Sequence, residues 1–277
     1  MKRREFITAS VAAATLAGLR SAEAQGQALT NNGLRSIQEY YELRAYHLKS
    51  AADRALLDSY LGKALIPALN RLGLKPVGVF VQQDRTSAPG ATEVADASSV
   101  LVLIPYPTIE LFAHAGVRLN ADPDYQRAGA EYLQAAKANP AFERIDSWLM
   151  LAFAGMPKLG MPPYCREQKP RMFELRTYES YSEVKALKKV DMFNAGEIQV
   201  MRDVGLGPIF YGQALIGNNL PHLAYMLSAE DTEAHKRHWD AFRGHPTWAK
   251  LKNDPQYADT VSKIANRFLV PTPYSQI

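Results

Sequence analysis

The sequence predicts an α+β protein: two tandem ferredoxin-like units of order βαββαβ, packed sheet to sheet as an α/β barrel within one chain. Three observations carry this. The stretch YYELRAYHL at 40–48 nearly returns as MFELRTYES at 172–180, so that Glu42, Leu43, Arg44 and Tyr46 reappear as Glu174, Leu175, Arg176 and Tyr178. The same offset of 132 residues relates Gly73-Leu74-Lys75-Pro76 to Gly205-Leu206-Gly207-Pro208, and Asp122-Pro123-Asp124-Tyr125 to Asp254-Pro255-Gln256-Tyr257. Segments of period two and of helical period also follow one another in the same order in both copies.

In the first copy, residues 39–48 alternate as a strand. Ser50 and Asp53 then open a helix in the manner of a capping box. Leu57, Leu61, Leu65, Leu69 and Leu72 recur at helical spacing and form its buried stripe. Pro67 is expected to kink or break that helix, and Gly73 to end it. Residues 76–82 and 100–104 are apolar and β-branched, hence strands, with a long polar loop between them. Helix follows from about Thr108, a second helix starts at Asp122-Pro123, and IDSWLMLAF closes the unit as a strand.

The second copy repeats this: strand at 171–179, helix at 182–203 ended by Gly205, strands at 209–216 and 222–227 around GNNLP, helix at 230–242, a short Asp254-Pro255 helix, and a strand at 266–271. Between the copies, GMPKLGMPPYCREQKP at 155–170 is too rich in Pro and Gly for a helix or central strand, and reads as an extended surface linker. It carries Cys165, the one cysteine, so no disulfide forms within the chain.

The order βαββαβ puts both helices of a unit on one face of its sheet and leaves the other face bare. On the first strand, Tyr41, Leu43, Ala45 and His47 point one way and Tyr40, Glu42, Arg44 and Tyr46 the other. The more apolar set is expected under the helices. Glu42, Arg44, Tyr46, Glu174, Arg176 and Tyr178 are then expected at the sheet–sheet interior, as a ligand-binding lining or as a belt of ion pairs. Buried charges there must be paired.

The first two dozen residues have a basic start, an apolar Ala-rich run and Ala22-Glu23-Ala24, the pattern of a cleaved secretory signal. Arg3-Arg4-Glu5-Phe6-Ile7 resembles the twin-arginine export motif, which implies a periplasmic or secreted protein. The expected organisation is a signal at 1–24, a flexible segment at 25–38, a first unit at 39–154, the linker at 155–170 and a second unit at 171–277. The signal holds four cations and two carboxylates, so its removal lowers the formal charge from +4 to +2. That balance, with no basic run, argues against nucleic acid as a partner, and no further stretch is long and apolar enough to span a membrane.

The ELRxY strand, the Gly-Leu-x-Pro turn and the segment HKRHWDAFRGHPTW resemble the NIPSNAP family, whose aromatic pattern falls here on Trp239, Phe242, Pro246 and Trp248. In the first copy, ELFAHAGVRLNADPDY lacks both tryptophans. The resemblance implies a dimeric α/β-barrel fold. It implies no settled chemistry, because relatives include barrel monooxygenases and haem-degrading enzymes as well as proteins with no known reaction.

No nucleophile motif, phosphate loop or dinucleotide fingerprint occurs, so catalytic residues are not assigned and no cofactor is implied. His222, His235, His238 and His245 cluster in the second copy, but Lys236 and Arg237 lie among them, so they read as solvated helix histidines and not as metal ligands. The functional reading is a binding or structural module with a barrel interior of small-molecule size. Its competitor is a cofactor-independent monooxygenase- or isomerase-like enzyme in which Arg44, Tyr46, Arg176 or Tyr178 polarises the substrate. Pairing of the two units within one chain leaves outer strand edges open to further homo-oligomerisation.

Overall fold

Two strand pairings between the halves close the sheet. The computed structural model describes residues 38–83, 92–93 and 98–277. The expected signal peptide, the N-terminal segment up to 37 and most of the polar loop at 84–99 lie outside the described residues.

The first half runs β1 (Tyr40–His47), α1 (Ala51–Tyr60), a π-helical turn (Leu61–Leu65), α2 (Ile66–Arg71), β2 (Gly78–Gln82), the two-residue β3 (Thr92–Glu93), β4 (Ser99–Tyr106), α3 (Ile109–Asn120), α4 (Pro123–Ala128), α5 (Ala130–Leu133) and β5 (Arg144–Ala152). A short α6 (Pro163–Arg166) interrupts the connection. The second half runs β6 (Met172–Glu179), α7 (Glu183–Met192), a π-helical turn (Phe193–Glu197), α8 (Ile198–Asp203), β7 (Gly207–Ile216), β8 (His222–Ala229), α9 (Thr232–Gly244), α10 (Pro246–Asn253), a 3-10 turn (Pro255–Tyr257) and β9 (Lys263–Pro271).

Within each half the strand order is that of a split βαβ unit: β2-β4-β1-β5 and β7-β8-β6-β9. The edge strands then pair across the halves, β5 with β7 and β2 with β9, both antiparallel. An eight-stranded antiparallel barrel results. The outer edges that the sequence leaves open are consumed by this closure, which removes unpaired strand backbone from solvent; β3 adds to β9 outside the closed ring.

The 132-residue offset survives in the backbone. The bounds of β1, α1, the first π turn and α2 match those of β6, α7, the second π turn and α8 residue for residue. Ser50 and Ser182 cap α1 and α7 by accepting from the backbone N–H three residues on. Gly73 and Gly205 follow the helices at φ of +79° and +86°, a left-handed conformation that a side chain would strain. Pro67 does not break its helix: the chain runs on through the π turn into α2, of which Pro67 is the second residue. The second half has the same turn with Gln199 at that position, so the turn belongs to the repeat and not to the proline.

The core has three main parts. The barrel interior is filled by Tyr41, Leu43, Phe80, Leu101 and Leu103 from the first half and Phe173, Leu175, Phe210, Met226 and Leu269 from the second. Ile277 and Cys165 join this cluster as well. Two further clusters lie between sheet and helices, one in each half. The linker is therefore not merely a surface crossing, since Cys165 is fully buried and Leu159, Met161 and Tyr164 pack against the barrel core. Burial pushes the Cys165 thiol up to about 11.

The expected assignment of strand faces is reversed. Tyr41 and Leu43 face the barrel, while Tyr46 packs with Leu57, Tyr60 and Leu61 of the helical layer. Glu42, Arg44, Tyr46, Glu174, Arg176 and Tyr178 thus lie beneath the helices and not in the barrel interior. The reason is hydrogen bonding. The barrel is lined by apolar side chains and offers a carboxylate few partners, whereas helices and flanking strands bring Tyr, His, Trp, Asn and Lys to the outer face. Space at one mouth of the barrel comprises a cavity of about 70 Å³ beside Leu43, Trp148 and Leu175 and a second of about 220 Å³ that shares Trp148, Leu175 and Arg267 with it and reaches Glu179 and Lys263.

Candidate functional site

Glu174 is the centre of the second-half layer. It stands on β6 with no solvent exposure and is ringed by donors from three elements. Arg176, two residues along the strand, donates from Nη1 to Oε1 at 2.6 Å. Asn266 on the neighbouring β9 donates from Nδ2 to Oε1 at 3.0 Å. From α9, His235 Nε2 lies 2.8 Å and Trp239 Nε1 2.9 Å from Oε2. Burial alone would raise the Glu174 carboxyl, but the Arg176 charge and the His235 hydrogen bond outweigh it and hold the group down to about 2. The carboxylate is therefore ionised and can only accept. His235 must carry its proton on Nε2, and the Trp239 indole N–H goes to the same oxygen.

Beside this cluster opens a cavity of about 260 Å³, lined by Arg176, Tyr178, Lys189, Glu197, Trp239, Phe242, Arg243, Trp248, Val261 and Ile264. Four of these residues are aromatic and four are charged. Arg176 lies over the Trp239 ring at 5.0 Å and over the Tyr178 ring at 5.6 Å. Phe242 bridges Trp239 and Trp248 at centroid distances of 5.3 and 4.7 Å. The Tyr178 hydroxyl pairs with that of Tyr225 at 2.8 Å. Burial pushes the Tyr225 phenol well up, so it stays neutral.

Arg176 is 6% exposed, and its Nε–H has no hydrogen-bond partner. A buried guanidinium donor without a partner costs free energy, which an acceptor placed in the adjoining cavity removes. Lys189, in α7, and Glu197, at the end of the second π turn, form a buried ion pair of 2.8 Å in the same wall. Gly196 inside that turn takes φ of +156°, a conformation for which a residue without Cβ is suited.

The first half carries the equivalent strand with different surroundings. Arg44 chelates Glu42 through Nε and Nη2 at 2.5 and 2.9 Å. Tyr106 and Ser147 donate their hydroxyls to the same carboxylate at 2.8 and 3.0 Å. Ser147 pairs in register with Arg44 as Asn266 does with Arg176, so these two donors correspond. Among the described residues no His or Trp hydrogen-bonds Glu42 from the helical layer. A cavity of about 350 Å³ beside Arg44 is lined by Tyr60, Tyr125, Asn120, Gln126 and Gln134, and Tyr60 and Tyr125 join hydroxyls at 2.8 Å.

The six residues singled out in the sequence thus form two separate sets of three, one under the helices of each half. His235 is not a solvated histidine but 5% exposed and bound to Glu174, and His222 is buried as well. His238 and His245 are partly exposed. Among the described residues no group of three or more His, Cys, Asp and Glu is placed to hold a metal ion. Lys189, Glu197 and Asn266 escaped the sequence reading. The offset held the signal for two of them: Lys189 and Glu197 interrupt an apolar stripe at positions where the first copy has Leu57 and Leu65.

Residues 173–276 match the NIPSNAP family model. A solved structure of a NIPSNAP-like domain protein from Burkholderia xenovorans is 23% identical over 38% of this chain and 88% of its own, with a TM-score of 0.34. Two structures follow nearly the whole chain. A provisionally named monooxygenase of Lactobacillus acidophilus NCFM has a TM-score of 0.55 at 10% identity, covering 84% of this chain and 94% of its own. One of Fusobacterium nucleatum, similarly named, has a TM-score of 0.52 at 11% identity, covering 84% and 92%. At such identities the likeness is one of fold: the dimeric α/β barrel, here closed within one chain. No curated protein matches the sequence.

Proposed function

We propose that this protein binds a small planar molecule bearing an oxygen acceptor, such as a carboxylate, phenolate or enolate, in the helix–sheet pocket of its second half. The observation that carries the reading is the buried Arg176, whose Nε–H is unpartnered beside a cavity walled by Tyr178, Trp239 and Trp248. Aromatic walls suit a flat apolar body, and a guanidinium edge suits an oxygen anion. The cavity, at about 260 Å³, is close to the lower end of the usual small-molecule range of roughly 300 Å³ upward. The first half, with its Glu42 carboxylate chelated by Arg44, serves chiefly as the partner that closes the barrel.

The first half is on this reading a second NIPSNAP-like domain, tied to the other by the repeat offset and the matching element bounds. The basic, Ala-rich start with Arg3-Arg4 supports export by the twin-arginine route, with ligand binding in the periplasm. Among the described residues no helix is long and apolar enough to cross a membrane.

The test is a titration of the purified protein with naphthoate, followed by tryptophan fluorescence, together with native mass spectrometry for a co-purified ligand. Saturable quenching that is lost in R176Q supports the pocket. Quenching unchanged in R176Q removes it.

A second reading is a cofactor-independent oxygenase. One observation favours it: among the chain-length structural neighbours are two provisionally named monooxygenases. Oxygen uptake that requires both protein and bound ligand would distinguish it from binding alone.

A further inference from the structure

The first half provides an internal control for the second. Leu57 and Leu65 stand 132 residues before Lys189 and Glu197, at matching places around the same π turn, and both are fully buried. This part of the fold is therefore filled satisfactorily by apolar side chains. A buried ion pair rarely outperforms well-packed apolar residues of similar size, because both charges must be stripped of water. The second half nevertheless keeps one, 4% exposed at Lys189 and 1% at Glu197, and keeps it in the wall of the pocket that Arg176 faces.

The pair has capacity to spare. Lys189 Nζ donates to Glu197 Oε2 at 2.8 Å and to Met192 Sδ at 3.2 Å, two of its three protons. The ammonium lies among the rings of Phe193, Tyr178 and Trp248 at 4.8, 5.6 and 5.6 Å. Glu197 accepts from Lys189 through one oxygen and retains acceptor sites on the other. Arg176 Cζ and Lys189 Nζ are each 5.6 Å from the centre of the Tyr178 ring, so two polar groups of the pocket wall lie against a single tyrosine. The poles differ in kind: Arg176 only donates, whereas Lys189 with Glu197 presents a donor and an acceptor side by side. A carboxylate only accepts, and a hydroxyl does both.

We propose that the ligand of this pocket is a hydroxyaryl carboxylic acid, its carboxylate on Arg176 and its hydroxyl on the Lys189–Glu197 pair. This rests on the pocket reading above and adds its second pole.

The experiment is calorimetric titration of the full chain with benzoate and with its meta- and para-hydroxy derivatives, for the wild type and for K189L/E197L, which copies Leu57 and Leu65. The readout is the ratio of affinities, not either affinity alone. The wild type is expected to favour one hydroxylated probe by about 10-fold or more, since a site that hydrogen-bonds a ligand hydroxyl leaves its own buried groups unpaired with the analogue lacking it. In the double variant, folded by circular dichroism, the ratio is expected to fall to about one. Equal affinity of the wild type for all probes overturns this inference while leaving the Arg176 pocket standing, as does a preference that persists in the double variant. A double variant that fails to fold assigns the pair to architecture and also overturns it. Absence of binding by any probe removes the pocket reading and this inference together.

Discussion

The two halves share a backbone and part company in their buried polar groups. Each places a Glu-x-Arg-x-Tyr strand under two helices joined through a π turn. In the first half the carboxylate of Glu42 is held by Arg44, which is only partly buried, and by two hydroxyls, and leucines fill the helix above. In the second half Glu174 is wholly enclosed by Arg176, His235, Trp239 and Asn266, and a Lys–Glu pair replaces two leucines. The first arrangement shows what the fold requires. The difference between the two shows what has been added at a cost in desolvation, and the addition converges on one aromatic pocket.

The largest expected effect tests that contrast at its centre. E174Q removes the counter-charge of a buried Arg176 and should destabilise the protein by about 3–5 kcal/mol in chemical denaturation. E42Q, whose Arg44 reaches solvent, should cost about half as much. Equal losses would mean that the halves do not differ as described.

Acid should expose the same asymmetry. The Glu174 carboxyl is held at about 2 when folded against an ordinary value of 4.5, so its folded pKa is depressed. The stability it contributes is present above about 4.5 and is lost as pH falls from there towards 2, amounting to about 3 kcal/mol. Denaturation measured across that window should show the loss in the wild type and a flatter profile in E174Q.

Removing single donors should follow in order of the charge they serve. W239F deletes the indole N–H that reaches Glu174, and its loss should be about 1.5–3 kcal/mol, as for hydrogen bonds to ionised groups. The tyrosine pair in the first half is neutral at both ends, so Y60F should cost only about 1 kcal/mol. A ranking by melting temperature that inverted these two would contradict the assignment of partners.

Much of the fold was legible because the sequence repeats its local signals at one offset. The offset of 132 residues, the Ser caps at 50 and 182 and the glycines at 73 and 205 are local signals, and each appears at the same place in the structure. Barrel closure followed from a sheet with one bare face. The orientation of β1 and β6 was not legible. Alternation sorts residues into two sets but does not say which set meets the helices, and the set with Glu42 and Arg44 went to the helices because hydrogen-bond partners are there. The buried role of His235 was hidden for a related reason: its partner Glu174 lies 61 residues away in sequence. Lys189 and Glu197 were legible only by reading the two copies against each other.

The central claim is that the ligand site lies under the helices of the second half and not in the barrel or in the first half. Fluorescence titration with naphthoate of the wild type, R176Q and R44Q tests it most directly. The expected result is a loss of about 10-fold or more in affinity for R176Q, the removal of a charge-assisted contact, with R44Q within about twofold of the wild type. Affinity that falls in R44Q and holds in R176Q would contradict the account.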